Sequence, residues 1–126
     1  MSARILLVED DKFLRKAAEA MLKKHGFTVT TAADGEEGLA AARLQPPDMV
    51  LLDLIMPKLQ GFQVLEALKG AVETAGIPVI VLSNLGQDAD VARALQSGAV
   101  AYFIKSNTSL TNLVTKVRDV LEGRAA

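Results

Sequence analysis

Charged and hydroxyl side chains stand directly after four apolar segments of this sequence. They are Glu9, Asp10 and Asp11 after residues 5–8, Asp53 after residues 49–52, Ser83 after residues 78–82, and Lys105 after residues 100–104. A carboxylate at the end of an apolar strand is costly unless a cation meets it. Paired acids of this kind are therefore candidates for a functional site. The sequence therefore predicts that Glu9 and Asp10 meet a cation, and that Asp53, which follows a buried strand with no basic residue nearby in sequence, has a functional rather than a structural role.

The elements that must position these residues are five short strands and five helices. The predicted strands are residues 5–8, 27–31, 49–52, 78–82 and 100–104, and four of them are nearly continuous apolar runs, which is typical of strands covered on both faces. The segments between them carry apolar residues at helical spacing. These stripes are Leu14, Ala17, Ala18, Met21 and Leu22; Leu39 and Ala42; Val64, Leu65 and Leu68; Val91 and Leu95; and Leu110, Leu113, Val114, Val117 and Leu121.

Helix-boundary signals support this division of the chain. Gly26 after His25 is a typical helix C-terminus, and Asp34 with Glu37 predicts a capping box that opens the second helix. Asp11 can cap the first helix, which we favour over a role in the acidic site. Five alternating strand and helix units require parallel pairing through right-handed crossovers. In such sheets ligands lie beyond the carboxyl ends of the strands, where the charged residues gather.

Composition limits the classes of function. The chain has 126 residues, 14 basic and 15 acidic side chains, a net charge of −1 and no cysteine. We expect one domain over residues 1–126, since this length leaves no room for a second. The absence of cysteine excludes thiol catalysis, zinc ribbons and iron–sulfur ligation. The charge balance argues against direct binding to nucleic acid, and the absence of a signal-peptide core or membrane span predicts a cytoplasmic protein.

Taken together, several segments resemble the receiver domain of bacterial two-component response regulators. They are residues 5–10 (ILLVED), residues 51–57 (LLDLIMP), Gly61, Ser83 and residues 102–105 (YFIK). The resemblance covers essentially the whole chain. It implies a flavodoxin-like (βα)5 doubly wound α/β fold with a five-stranded parallel sheet of order 2-1-3-4-5.

The resemblance also implies a role for each site residue. Asp53 would be the phosphoacceptor, and Ser83 and Lys105 would meet the phosphoryl oxygens. Tyr102 would be the aromatic residue whose side chain follows the switch at Ser83. The metal ligands would be Glu9, Asp10, Asp53 and the backbone carbonyl of Ile55. Mg²⁺ suits this site because it is a hard cation that takes a few carboxylate or carbonyl oxygens and keeps several waters.

Partners follow from the same resemblance. A sensor histidine kinase or histidine phosphotransfer protein would supply the phosphoryl group. The surface expected to change is that of the fourth helix, fifth strand and fifth helix, from about residue 88 to residue 121. A downstream protein or output domain would read that surface.

The sequence departs from the family pattern at a few positions. Ser106 follows Lys105 where many relatives have proline, often with a cis bond. A cis bond before a residue other than proline costs about 2.5 to 4 kcal/mol, so we expect a trans bond and a differently shaped loop. Ile55 and Leu85 are apolar where fast-hydrolysing relatives are polar, which predicts a longer-lived acyl phosphate.

Three other interpretations compete with this one. A haloacid dehalogenase-type phosphatase also uses a strand-end aspartate, but it needs a second aspartate where this chain has Ile55. A degenerate receiver would bind a protein partner without taking phosphate, and Ser106 keeps that alternative open. A nucleotide-binding fold lacks support because the turn after the first strand contains no glycine to cradle a pyrophosphate.

Overall fold

The fold is a parallel sheet with helices on both faces. It is given by a computed structural model that describes residues 3–55, 60–84 and 87–125. In chain order the elements are β1 (Arg4–Val8), α1 (Lys12–Lys24), β2 (Thr28–Ala32), α2 (Gly35–Leu44), β3 (Met49–Leu52), α3 (Gly61–Gly70), β4 (Val79–Ser83), α4 (Asp88–Gln96), β5 (Ala101–Ile104) and α5 (Leu110–Ala125). A short 3₁₀ helix, Lys105–Asn107, joins β5 to α5.

The sheet has the predicted order 2-1-3-4-5, and all four strand pairs are parallel. Successive side chains of a strand point to opposite faces, so each central strand contributes to two cores. Leu52 packs with α2, α3 and α4 residues on one face, whereas its neighbour Leu51 packs with α1 and α5 residues on the other. Burying a leucine side chain stabilises the fold by about 1.5 to 3 kcal/mol. The central strands therefore fix the edge of the sheet from which the charged residues project.

The strand boundaries differ from the predicted ones by about one residue. β2 begins at Thr28, and Ser83 is the last residue of β4 rather than the first of the following loop. β1, β3 and β4 are buried along almost their whole length, as the continuous apolar runs predicted. β5 is only half-buried because it lies at the edge of the sheet.

Helix ends form largely as expected. Asp11 caps α1 by accepting hydrogen bonds from the backbone N–H groups of Phe13 and Leu14. At the other end of α1, Gly26 has φ +94°, a conformation that favours glycine. Asp34 Oδ1 accepts from the Glu37 N–H at 2.8 Å, which is one half of the predicted capping box.

Two positions of the predicted helical stripes are wrong. Leu95 of α4 is 46% exposed, and Ala94 is the residue of that helix buried in the core. Ala17 of α1 is also exposed, whereas its neighbour Ala18 is buried. Helical spacing identifies an apolar stripe, but a short stripe does not define which neighbouring residue faces the sheet.

Candidate functional site

Lys105 lies at the centre of the charged cluster. Its Nζ is 3.0 Å from Asp53 Oδ2 and 2.5 Å from Glu9 Oε1. The side chain of Lys105 is 15% exposed, whereas those of Glu9 and Asp53 are only 2% and 5% exposed. Ion pairs removed from water to this extent are screened much less than surface pairs. The lysine therefore holds two buried carboxylates from two different strands.

The backbone after β5 aims Lys105 at these acids. Lys105 opens the short 3₁₀ helix, and its peptide bond to Ser106 is trans, as the absence of proline predicted. The loop therefore has a tight helical turn in place of the cis-proline turn common among relatives.

Glu9 and Asp10 stand at the carboxyl end of β1. The Glu9 N–H donates to the Ala32 carbonyl at 3.0 Å, which extends the pairing of β1 with β2 by one residue. Glu9 Oε2 accepts from the Asp11 N–H at 3.1 Å. Asp10 is exposed, in contrast to buried Glu9. Glu9, Asp10 and Asp53 each offer a carboxylate oxygen, and these oxygens lie within 4.8 Å of one another.

Asp53 directly follows β3, and hydrogen bonds hold both its backbone and its carboxylate. Its N–H donates to the Val8 carbonyl at 3.1 Å, and its Oδ1 accepts from the Ile55 N–H at 3.2 Å. The Ile55 side chain is 55% exposed beside it. Two residues of the family-like segments, Met56 and Pro57, lie outside the described residues, as does Leu85.

Burial changes the acid–base properties of the cluster. It raises the pKa of Glu9 to about 7; the Asp53 charge adds to this rise, and Lys105 and the Asp11 N–H oppose it. Burial alone would lower the pKa of Lys105, but its hydrogen bonds and charge interactions with Glu9 and Asp53 raise it. A single lysine therefore does not offset the negative charge gathered here. A hard divalent cation fits the oxygen donors that are present.

Ser83 and Tyr102, the two predicted switch residues, are in contact. Ser83 is fully buried at the end of β4, and its side chain is hydrogen-bonded to that of Tyr102 on β5. Tyr102 is half-buried and packs against the core on the α2, α3 and α4 face. Burial raises the pKa of its phenol. The tyrosine thus points inward, towards the serine and the core.

The structure adds one residue to the site that the sequence pattern does not identify. Arg15, in the first turn of α1, donates from Nη1 to the backbone carbonyls of Glu9, at 2.8 Å, and Asp10, at 3.3 Å. Its position four residues after Asp11 places it one helical turn from the acidic loop, which we define as residues 9–11 between β1 and α1. Spacing alone could not show that its side chain turns back to the backbone.

The fold and the arrangement of the site define a class of protein, and comparison with known families gives the same one. A family model described as the response regulator receiver domain matches residues 5–118. The chain belongs to this family, which acts in signalling.

Individual relatives agree. The chain is 40% identical over 121 residues to protein PilH of Pseudomonas aeruginosa, covering 96% of this chain and 99% of PilH. It is 41% identical over 101 residues to the transcriptional regulatory protein AfsQ1 of Streptomyces coelicolor, covering 80% of this chain but only 44% of AfsQ1. The chain therefore spans nearly all of one relative and less than half of the other.

Solved structures share the fold. The crystal structure of a CheY-like receiver domain protein from Methanospirillum hungatei matches with a TM-score of 0.92 and 26% identity, covering 99% of this chain and 98% of that one.

Across the part of the chain that the structure describes, every helix is too short or too polar to cross a membrane.

Proposed function

We propose that residues 1–126 form a cytoplasmic phosphoacceptor receiver domain that takes a phosphoryl group onto Asp53. The donor is the phosphohistidine of a sensor histidine kinase or a histidine phosphotransfer protein. The observation that carries the proposal is the contact of Lys105 Nζ with both Asp53 and Glu9. It places a fixed positive charge beside a strand-end carboxylate.

The acidic cluster supports a magnesium site. Glu9, Asp10 and Asp53 would hold the ion through carboxylate oxygens, and the backbone carbonyl of Ile55 would add a further ligand. When bound, Mg²⁺ supplies the positive charge that lets a carboxylate approach a phosphoryl group. The raised pKa of Glu9 supports this assignment because it marks a buried acid whose charge is incompletely compensated.

The proposed transfer forms one bond and breaks another. A carboxylate oxygen of Asp53 attacks phosphorus, the P–O bond of an acyl phosphate forms, and the P–N bond to the donor imidazole breaks. Lys105 is already in place to stabilise the equatorial oxygens, and positioning of this kind supplies most of the catalysis in phosphoryl transfer. The chain promotes only its own modification and its slow loss, so its role is that of a signalling domain rather than an enzyme.

The signal would leave the site through Ser83. A phosphoryl oxygen on Asp53 would accept a hydrogen bond from the Ser83 hydroxyl, which now bonds Tyr102. Exchange of that partner would alter the environment of Tyr102 on β5 and the surface formed by α4, β5 and α5. A ten-to-one population shift needs only about 1.4 kcal/mol, within the range of a charge-assisted hydrogen bond. A downstream protein or output domain would read this surface.

The test detects covalent phosphorylation of Asp53. The purified chain is incubated with acetyl phosphate and Mg²⁺, and the intact mass is measured. We expect one added PO₃ group in the native chain and in Asp119→Asn, which changes an exposed acid on α5, but none in Asp53→Asn. Omission of Mg²⁺ should abolish the adduct. A native chain without an adduct, or an equal adduct in Asp53→Asn, would contradict the proposal.

A further inference from the structure

The Arg15 side chain contacts the backbone of the acidic loop and not the carboxylates of that loop. One nitrogen, Nη1, donates to the carbonyl oxygens of Glu9 and Asp10 at 2.8 and 3.3 Å. The side chain is partly buried. The guanidinium therefore holds the backbone of both residues without itself occupying their carboxylate oxygens.

The other bonds of this loop show what Arg15 adds. The Glu9 N–H is fixed by the Ala32 carbonyl, and Asp11 is fixed by its cap of α1 and by its N–H bond to Glu9 Oε2. Asp10 stands between them with its side chain exposed. The backbone N–H of Arg15 donates to the Asp11 carbonyl at 2.8 Å, which is the first hydrogen bond of α1. The Arg15 side chain adds the contacts with the Glu9 and Asp10 carbonyls, and so connects the start of α1 to the two residues before the cap.

We propose that Arg15 is a positioning residue for the divalent-cation site. Its guanidinium fixes the backbone at Glu9 and Asp10 so that both carboxylates are presented to one ion. The inference rests on the proposed function in requiring a cation at this site, but it concerns the loop and not the phosphoryl transfer.

Electrostatics alone predicts the opposite effect, which makes the inference easy to test. A positive guanidinium near a cation site repels the cation, so removal of the charge by itself would strengthen binding. Removal of an outer group that orients metal ligands weakens binding, typically by 10- to 100-fold. The sign of the change therefore separates a positioning role from a simple charge effect.

The experiment compares Arg15→Met and Arg15→Lys with Lys16→Met, which removes the same charge from the next residue, an exposed one, on α1. Mg²⁺ affinity is measured by calorimetry. Unfolding and amide hydrogen exchange at Asp10 and Asp11 are measured in EDTA. We expect Arg15→Met to bind Mg²⁺ about 10-fold more weakly and to exchange these amides faster without metal. Arg15→Lys should be intermediate and Lys16→Met close to native.

Unchanged or tighter Mg²⁺ binding by Arg15→Met overturns the inference. So does weaker binding with unchanged amide exchange. If Arg15→Met does not fold, Arg15→Lys decides: weaker binding than native supports the inference, and native affinity contradicts it. A native chain that binds Mg²⁺ but takes no phosphoryl group would refute the proposed function alone. Native phosphorylation with unchanged Arg15 variants would refute this inference alone.

Discussion

Glu9 is a buried acid at the end of a strand, and its protonation links the site to the stability of the fold. Its pKa is about 7 in the folded chain against 4.5 for an ordinary glutamate. The folded chain therefore holds this proton more tightly than the unfolded chain does. The resulting stabilisation is complete below about pH 4.5 and is lost as the pH rises through 7.

We therefore expect the metal-free protein to lose stability between about pH 5 and pH 8 because Glu9 must ionise in a buried position. Urea unfolding in EDTA measures the effect. Glu9→Gln should show a flatter dependence on pH over this range, whereas Glu122→Gln, which alters an exposed acid of α5, should follow the native chain. Equal slopes for native and Glu9→Gln proteins would be evidence against this role of Glu9.

Ile55 presents an apolar side chain, 55% exposed, beside Asp53. Its N–H already bonds Asp53 Oδ1, so its side chain starts next to the carboxylate that would carry the phosphoryl group. An apolar group cannot orient an attacking water, whereas an amide can donate and accept hydrogen bonds.

Ile55→Asn should accordingly shorten the lifetime of the acyl phosphate several-fold. The lifetime is measured by following the intact mass after removal of acetyl phosphate. Ile55→Val, which keeps the position apolar, should decay at the native rate. Identical decay of all three proteins would show that the side chain at position 55 does not determine the lifetime of the acyl phosphate.

At the level of elements, the start of α3 is held against the phosphoacceptor strand by a glycine. The Gly61 N–H donates to the Leu54 carbonyl at 3.1 Å, and a Cβ at Gly61 would overlap the Asp53 carbonyl oxygen and Leu54 Cα. Both obstacles are backbone atoms and cannot move as a side chain would. The close approach of α3 thus depends on the absence of a side chain.

Gly61→Ala should destabilise the fold by about 1 to 3 kcal/mol, as overpacking does, and slow phosphorylation by displacing Asp53. The matched change is Gly70→Ala at the other end of α3, where a Cβ would meet nothing within 4 Å. It should be neutral or slightly stabilising because alanine favours helix more than glycine does. Thermal unfolding and the rate of adduct formation measure both effects. Parallel behaviour of the two variants would contradict this account of Gly61.

α4 packs on the sheet through a small buried residue, in contrast to α3 beside it. Its core residue is Ala94, and Arg93 packs over the Phe62 ring at 3.9 Å while lying 3.6 Å from Glu66 of α3. A small apolar anchor and a partly exposed cation contribute less to stability than the buried phenylalanine, valine and two leucines that hold α3. α4, which belongs to the surface proposed to respond to the signal, therefore has few buried apolar contacts to lose when it moves.

At the scale of the whole molecule, the sheet order and the edge that carries the site follow the predictions. Continuous apolar runs identify the strands, and strand direction then places every strand-end residue at one edge. The sequence could not predict the contacts of Arg15 with backbone carbonyls, because they depend on the path of a long side chain. The sequence also could not predict that Leu95 is exposed, because a stripe of two residues leaves the orientation of α4 undetermined.

Lys105 stands 52 residues after Asp53, beyond the last strand of the sheet. A growing polypeptide thus presents both buried acids long before it contains their partner. Newly made protein on the ribosome cannot close this ion-pair network until β5 has emerged. The arrangement of charges at this edge of the sheet is therefore completed by the last strand of the fold to be made, whatever the earlier strands have already formed.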